Sequence, residues 1–175
     1  MTGFERLWNG WRSSYVSSVG ADGDDEPGSV FTKILRSGVS DVEANIVHRS
    51  ESVFAILNAY PYGTGHTLVL PYREVGDLEA LDPSETADLW GTVTDAVRAV
   101  KAAYSPDGVN VGVNLGRPAG GSVSEHLHVH VVPRWTGDAN FMTTVANTRT
   151  LPEPLDETAT KLRAAWPDRP GRAPT

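Results

Sequence analysis

The sequence predicts one α+β domain with a mainly antiparallel sheet of about five strands, a long helix covering one face, and extra helices towards the termini. Five short stretches that are apolar, or alternate between apolar and polar residues, lie between residues 45 and 132, as expected of strands. One long amphipathic stretch begins near residue 82. With 175 residues and 39% hydrophobic content, the chain is long enough for a single sizeable core.

Residues 1–29 are predicted to precede the central domain, which spans residues 30–150. Residues 4–19 indicate an amphipathic helix in which aromatic side chains recur at three- and four-residue steps. Such a stripe is typical of a core or a subunit interface. Residues 20–29 are acidic and rich in turn-forming residues, which indicates a mobile linker.

The first strands of the domain are predicted from two short apolar stretches, 45–47 and 52–57, which flank Arg49-Ser50-Glu51. This arrangement favours a hairpin in an antiparallel sheet. A third strand is predicted over residues 67–70, directly after Gly65-His66.

The long helix has a strong start signal. Asp82 is the predicted N-cap, Pro83 takes the first helical position, and Glu85 stands where a capping box needs an acidic side chain. Apolar residues then follow at helical spacing until Ser105-Pro106-Asp107-Gly108 ends the helix. We expect this helix to cover one face of the sheet.

Two more strands, 108–115 and 127–132, are joined by a glycine-rich loop. A further short strand is predicted over residues 141–145. The C-terminal segment, residues 151–175, is predicted to form a helix over residues 154–166 and then a disordered tail rich in Pro and Arg.

Three of the five histidines fall within five residues, where they alternate with aliphatic residues. The three are His126, His128 and His130. On a strand, residues at every second position share a face and lie about 6.6 Å apart. We therefore expect the imidazoles to converge on one small ligand, while Leu127, Val129 and Val131 face the core. Three imidazoles on one face cost desolvation and repulsion without a folding benefit, which favours a functional site.

Two kinds of chemistry fit such a triplet. His-x-His on a strand offers two nitrogens to zinc, and a catalytic zinc usually takes three protein ligands. Alternatively, a neutral imidazole is a good nucleophile towards phosphorus, and flanking imidazoles can orient it. The segment before the triplet favours phosphate, because residues 114–122 read N-L-G-R-P-A-G-G-S. Glycines let backbone N–H groups approach an anion closely, and Ser122 adds a hydroxyl.

The pattern His-φ-His-φ-His-φ-φ, in which φ is hydrophobic, resembles the signature of the histidine triad (HIT) superfamily of nucleotide hydrolases and transferases. Residues 58–71, which read N-A-Y-P-Y-G-T-G-H-T-L-V-L-P, resemble a second segment of that family. The resemblance covers residues 31–135. Residues 114–116, 119–122, 125–135 and 137–141 are similar to the HIT-type diadenosine tetraphosphate phosphorylases.

The resemblance implies the HIT-like fold and a set of catalytic residues. It assigns the nucleophile to His128, the middle histidine, which would form a nucleotidyl-histidine intermediate. His126 and His130 would position this ring and stabilise charge on the transferred phosphoryl group. It also places His66 beside the triad as an orienting partner.

The predicted substrate-binding residues are drawn from loops. By resemblance, Asn58 would contact the nucleotide ribose, and Trp135 would bind substrate or contribute to the neighbouring subunit's site. Asn114, Gly121 and Ser122 are candidates to bind the phosphoryl oxygens.

The resemblance implies a nucleotidyl transferase that cleaves diadenosine tetraphosphate by phosphorolysis to ATP and ADP. One alternative is a hydrolase of dinucleoside polyphosphates or nucleoside phosphoramidates. The fragile-histidine-triad hydrolases carry Gln at the position of Ser122, and this departure argues against a simple hydrolase. The other alternative is a nucleotide-binding protein without turnover.

Composition limits the partners and the compartment. A net charge of −7 and a pI near 5.1 argue against a nucleic acid polymer as partner. The absence of cysteine excludes disulfides and thiolate metal sites. We expect no required cofactor and no dedicated metal site, although Mg²⁺ can accompany a polyphosphate substrate. We also expect a cytoplasmic protein with no membrane segment, assembled as a homodimer or homotetramer.

Overall fold

The computed structural model describes residues 27–119, 123–138 and 153–168, and its centre is a five-stranded antiparallel open sheet, as predicted. The strands are β1 Ile46–Arg49, β2 Val53–Leu57, β3 Thr67–Pro71, β4 Gly108–Val113 and β5 Val129–Arg134. The helices are α1 Val30–Arg36, α2 Asp41–Ala44, α3 Pro83–Tyr104 and α4 Leu155–Ala165. The predicted helix over 4–19 and strand over 141–145 lie outside the described residues.

The sheet has the order β1-β2-β3-β5-β4, with β3 at its centre. The predicted hairpin of β1 and β2 is confirmed. Between β3 and β5, Leu68 pairs with His130. His66 precedes Leu68 by two residues, so it is the diagonal neighbour of His130 on the same face of the sheet. The register thus brings together two histidines that are distant in sequence.

Helix α3 covers one face of the sheet, as predicted. Asp82 caps it through the backbone N–H groups of Ser84 and Glu85, and the Glu85 side chain completes the capping box. Leu89, Val93 and other apolar side chains of α3 join a buried cluster with the odd-numbered residues at the start of β5. The predicted core residues Leu127, Val129 and Val131 all belong to this cluster.

The opposite face of the sheet is covered at one end by α1, which the sequence analysis did not predict. Phe31 and Ile34 of α1 form a second apolar cluster with residues of β2 and β3, among them Leu68 and Leu70. Because side chains alternate along a strand, His130 lies on this face, away from α3.

Strand β5 differs from its predicted limits. The predicted strand covers residues 127–132 and stops before Pro133, whereas β5 runs from Val129 to Arg134 and includes the proline. Pro133 pairs with Val109 of β4, but on its other side β3 pairs only as far as Val131. A proline is tolerated where one side of a strand has no partner.

Helix α4 occupies most of the predicted range 154–166 and packs against α3 and β1. The guanidinium group of Arg163 donates to the carbonyl oxygens of Ile46 and Asp41, which fastens α4 to the start of β1. No helix within the described parts of the chain has the length and apolar character needed to cross a membrane.

Candidate active site

Three imidazoles lie in a row on the face of the sheet opposite α3. The ring centroids of His128 and His130 are 5.0 Å apart, and those of His130 and His66 are 5.1 Å apart. His66 lies just before β3, and His128 lies just before β5. Because β3 and β5 are antiparallel, these two positions lie at opposite ends of the strand pair, and the row runs diagonally across it through His130.

The hydrogen bond made by His128 determines which of its nitrogens is reactive. Its Nδ1 lies 2.8 Å from the backbone oxygen of His126. A carbonyl oxygen only accepts, so Nδ1 carries the proton and donates. In the neutral ring, Nε2 then holds the free lone pair. The Phe31 ring packs beside His128, with 5.6 Å between ring centroids.

A chain of hydrogen bonds determines the tautomers of His66 and His130. The backbone N–H of Tyr62 donates to Nδ1 of His66 at 2.9 Å, so His66 carries its proton on Nε2. This Nε2–H donates to Nδ1 of His130 at 2.9 Å. His130 must then carry its proton on Nε2, which is buried and has no hydrogen-bond partner among the described residues.

Burial keeps His130 neutral. It lowers the pKa of His130 to about 4, and the nearby His128 ring acts in the same direction. A neutral His130 with a proton on Nε2 is a hydrogen-bond donor for an incoming polar group. The site thus contains a lone pair on His128 and an N–H donor on the adjacent ring.

His126 is arranged differently from the other members of the triplet. It is fully buried, with its Nε2 2.8 Å from the backbone oxygen of Pro71 and its Nδ1 2.7 Å from Oγ of Ser29. Both ring nitrogens are therefore engaged by the protein. Of the three imidazoles predicted to converge, His128 and His130 lie together and are joined by His66, whereas the His126 ring is held by Ser29 and Pro71.

The pattern of the triplet and the fold point to one family, and a family model described as HIT domain matches residues 39–137. The chain belongs to the HIT family. The resemblance predicted from the sequence is confirmed.

Relatives of known name agree with this assignment. The protein named AP-4-A phosphorylase from Mycobacterium tuberculosis is 43% identical over 170 residues, which are 95% of this chain and 86% of that protein. The asymmetrical bis(5'-nucleosyl)-tetraphosphatase of Schizosaccharomyces pombe is 35% identical over 97 residues, which are 55% of this chain and 53% of that protein.

Solved structures show the same fold. A zinc-bound histidine triad family protein from Mycobacterium smegmatis has a TM-score of 0.64 and is 31% identical. The match covers 79% of this chain and 92% of that protein. In the described part of the present HIT protein, no group of three or more His, Asp or Glu side chains is placed to hold a metal ion.

Asn58 lies beside the histidine row of this HIT domain. Its side-chain oxygen accepts the backbone N–H of Tyr60 at 2.9 Å, and its amide nitrogen is 3.4 Å from Nδ1 of His66. Asn58 therefore shapes the loop that supplies the Tyr62 N–H group to His66.

Of the other predicted substrate-binding residues, Asn114 lies beside the row, because the register that pairs Gly112 with His130 and Val113 with Val129 makes it the next residue opposite His128. Trp135 follows β5 and meets Tyr104 of α3 edge to face, with 6.4 Å between ring centroids. Asn114 follows β4 and is half-buried. Gly121 and Ser122 lie outside the described residues. His48, which the sequence analysis leaves unassigned, stacks on Trp166.

Several side chains around the site were missed in the sequence analysis. Ser29 is assigned there to the end of a mobile linker, yet it is buried and caps α1. A serine directly before an apolar run is a helix-start signal that could have identified it. Glu74 and the Tyr62 ring, which stacks on His130, have no such signal, because their contacts depend on the tertiary fold.

Proposed function

We propose that this HIT protein is a nucleotidyl transferase that cleaves diadenosine tetraphosphate by phosphorolysis to ATP and ADP, through a nucleotidyl-histidine intermediate on His128. The observation that carries the proposal is the hydrogen bond from Nδ1–H of His128 to the His126 carbonyl, which leaves Nε2 as a nucleophile. Membership of the family and the relatives' names support a nucleotide-processing enzyme.

In the first half-reaction, the lone pair on Nε2 of His128 attacks the α-phosphorus of one adenosine. A P–N bond forms, the bond to the bridging oxygen breaks, and ATP departs with the electron pair. The positive charge that develops on the imidazole lies next to the His126 carbonyl oxygen. This fixed dipole stabilises the charged ring.

His130 acts in this step as a hydrogen-bond donor rather than as an acid. Its Nε2–H faces a position without a protein partner among the described residues, where a phosphoryl oxygen can accept. Loss of this proton would leave an imidazolate, because the other nitrogen already accepts from His66. A departing polyphosphate is stable as an anion and needs no added proton.

The second half-reaction determines the product. An oxygen of inorganic phosphate attacks the adenylyl phosphorus, the P–N bond breaks, and the electron pair returns to Nε2 of His128. ADP is released, together with the proton that hydrogen phosphate carried. The identity with the Mycobacterium tuberculosis relative supports phosphate as the acceptor.

The alternative acceptor is water, which gives AMP instead of ADP. The Schizosaccharomyces pombe relative, named a tetraphosphatase, supports this reading over the matched region. Dinucleoside polyphosphate or phosphoramidate hydrolysis is therefore the second candidate function. A nucleotide-binding protein without turnover is the third candidate function.

Product analysis separates the three functions. Diadenosine tetraphosphate is incubated with the protein, with and without inorganic phosphate, and the nucleotides are quantified by chromatography. Phosphate-dependent ADP plus ATP is the expected result. AMP plus ATP at the same rate without phosphate identifies a hydrolase, and binding without any product identifies the third function.

The proposal requires no resident cofactor, because the hydrogen bond to His126 and the relay from His66 prepare both reactive groups. Mg²⁺ is proposed to enter only with the polyphosphate. The protein is further proposed to act as a homodimer or homotetramer in the cytoplasm. Turnover in a chelator, with and without added Mg²⁺, tests the first point, and light scattering tests the assembly.

A further inference from the structure

The side chain of His126 is the most deeply buried of the three motif histidines, and both of its ring nitrogens are engaged by protein groups outside the row. It packs edge to face on Phe31, with 5.5 Å between ring centroids. Burial lowers its pKa, so the ring is neutral and bears one proton. Its two nitrogens then need one acceptor and one donor from the protein.

The acceptor and the donor are both identifiable. The Pro71 carbonyl oxygen accepts, so Nε2 of His126 carries the proton. Nδ1 must therefore receive a hydrogen bond, and the group within reach is the hydroxyl of Ser29 at 2.7 Å. Ser29 lies 97 residues from His126 in sequence, outside both segments that resemble the family.

The surroundings of Ser29 leave its hydroxyl proton available for His126. Oγ of Ser29 accepts the backbone N–H of Thr32 as the N-cap of α1. The Thr32 hydroxyl lies 2.5 Å from Oε2 of Glu74, and a carboxylate only accepts, so Thr32 donates there. Ser29 then donates to Nδ1 of His126 at 2.7 Å, which is closer than its other acceptor, the Thr32 hydroxyl oxygen at 3.2 Å.

Glu74 holds this arrangement in place from the loop after β3. The same oxygen that accepts from Thr32 also accepts the backbone N–H of Ser29 at 2.8 Å. These hydrogen bonds lower the pKa of Glu74, so the carboxylate stays ionised. Next to it, the N–H of Leu127 donates to the Val75 carbonyl oxygen at 2.6 Å. The loop is thus hydrogen-bonded to both Ser29 and the histidine segment.

We propose that Ser29 is a positioning residue, whose hydroxyl fixes the His126 ring and, through the His126 carbonyl, the orientation and tautomer of His128. His126 is held at its two ring nitrogens, and its backbone oxygen is the acceptor for Nδ1–H of His128. The effect on turnover rests on the proposed function, whereas the effect on the tautomer does not.

The test combines kinetics with NMR. In Ser29→Ala, Nδ1 of His126 loses its donor, and the His126 ring and carbonyl are no longer fixed. We expect kcat to fall about tenfold, the size expected for loss of one buried hydrogen bond, while KM changes by less than about twofold. Two-bond 1H–15N spectra of 15N-histidine protein are expected to show His128 shifting from the Nδ1–H form to a mixture of tautomers.

Two variants separate positioning from helix capping. Ser29→Thr keeps the hydroxyl and is expected to restore both kcat and the tautomer. Ser40→Ala removes the comparable N-cap of α2, which contacts none of the histidines in the described structure. We expect it to leave kcat and the His128 tautomer unchanged, although it costs stability of a similar size.

Opposite results overturn the proposal. One such result is a folded Ser29→Ala protein in which kcat and the His128 tautomer are unchanged. The other is a loss of kcat in Ser40→Ala as large as the loss in Ser29→Ala. If Ser29→Ala does not fold, the wild-type spectra decide, because a proton on Nδ1 of His126 contradicts donation by Ser29. If the wild type turns over no dinucleotide, the proposed function fails, and the tautomer comparison still tests the role of Ser29.

Discussion

Nε2 of His66 lies 2.9 Å from Nδ1 of His130, although 64 residues separate them in the chain. The pairing of β3 with β5 places the two rings side by side. The N–H of Tyr62 orients His66, which in turn orients His130. A backbone amide therefore determines, through two imidazoles, that Nε2 of His130, the last nitrogen of this chain of hydrogen bonds, is a donor. A rigid donor of this kind is suited to stabilise a phosphoryl oxygen in the transition state.

Replacement of His128 by Asn tests the nucleophile. We expect turnover of diadenosine tetraphosphate to fall by at least about a thousandfold, because the lone pair that attacks phosphorus is lost. Nucleotide affinity, measured by titration calorimetry, is expected to change by less than about threefold, since the other rings keep their partners. His48→Asn is the matched control, because His48 stacks on Trp166 away from the row. Unchanged turnover in His128→Asn would exclude the nucleophile assignment.

The low pKa of His130 predicts how stability depends on pH. In the folded protein the pKa is about 4, against an ordinary value of 6.5. Between these values the unfolded chain binds a proton that the folded chain does not, so acid favours unfolding. We expect the free energy of unfolding to fall as the pH is lowered from about 6.5 towards 4, and His126, whose pKa is also lowered, adds to the trend.

Urea denaturation at several pH values measures this dependence. The informative range is pH 5 to 6.5, because carboxylates with lowered pKa, such as Glu74, lose their contribution mainly at lower pH. His130→Gln is expected to show a shallower slope in this range than the wild type. Equal slopes in the two proteins would show that His130 titrates normally.

The Tyr62 ring is predicted to shield the His130 imidazole from water. It stacks on His130 at 5.7 Å and is itself about half exposed, at 49%, so it lies between the imidazole and solvent. Tyr62→Ala retains the backbone N–H that His66 needs but removes the cover. We expect the pKa of His130 to rise from about 4 towards 6.5, as measured by NMR titration.

Tyr62→Phe keeps the ring without the hydroxyl and is the control for this variant. We expect its His130 to titrate as in the wild type. If Tyr62→Ala also leaves the pKa unchanged, the desolvation of His130 comes from the sheet rather than from the tyrosine.

The elements predicted correctly have signals that are local in sequence. Asp82, Pro83 and Glu85 define the start of α3 within four residues. The alternation through Leu127 and His130 defines the two faces of β5, because its period is that of the strand itself. Such patterns need no knowledge of partners, which is why the sheet, its covering helix and α4 could be derived.

The features that were missed depend on contacts between distant segments. Ser29 meets His126 across 97 residues, and its N–H meets Glu74 across 45 residues. Periodicity places His126 on the same face as His130, but β5 begins only at Val129. His126 therefore precedes the strand and turns towards α1, where the sequence pattern contains no information about its partners.

Close packing of the loop after β3 against the histidine segment leads to the last prediction. A Cβ atom on Gly76 would lie 2.8 Å from the backbone oxygen of Ser124, too close for either backbone to remain in place. Gly76→Ala is expected to push residues 124–126 outwards, which loosens His126 and the carbonyl that holds His128. Overpacking of this kind costs about 1–3 kcal/mol of stability, and we expect kcat to fall together with the urea midpoint.

Gly108→Ala is the matched control, because a Cβ there would meet nothing within 4 Å. It is expected to keep the wild-type kcat and to change the free energy of unfolding by less than about 0.5 kcal/mol, the usual range for surface substitutions. Loss of activity in Gly76→Ala with an unchanged tautomer of His128 would place the damage elsewhere in the site. Loss of activity with a mixed tautomer would show that the nucleophile depends on the approach of this loop.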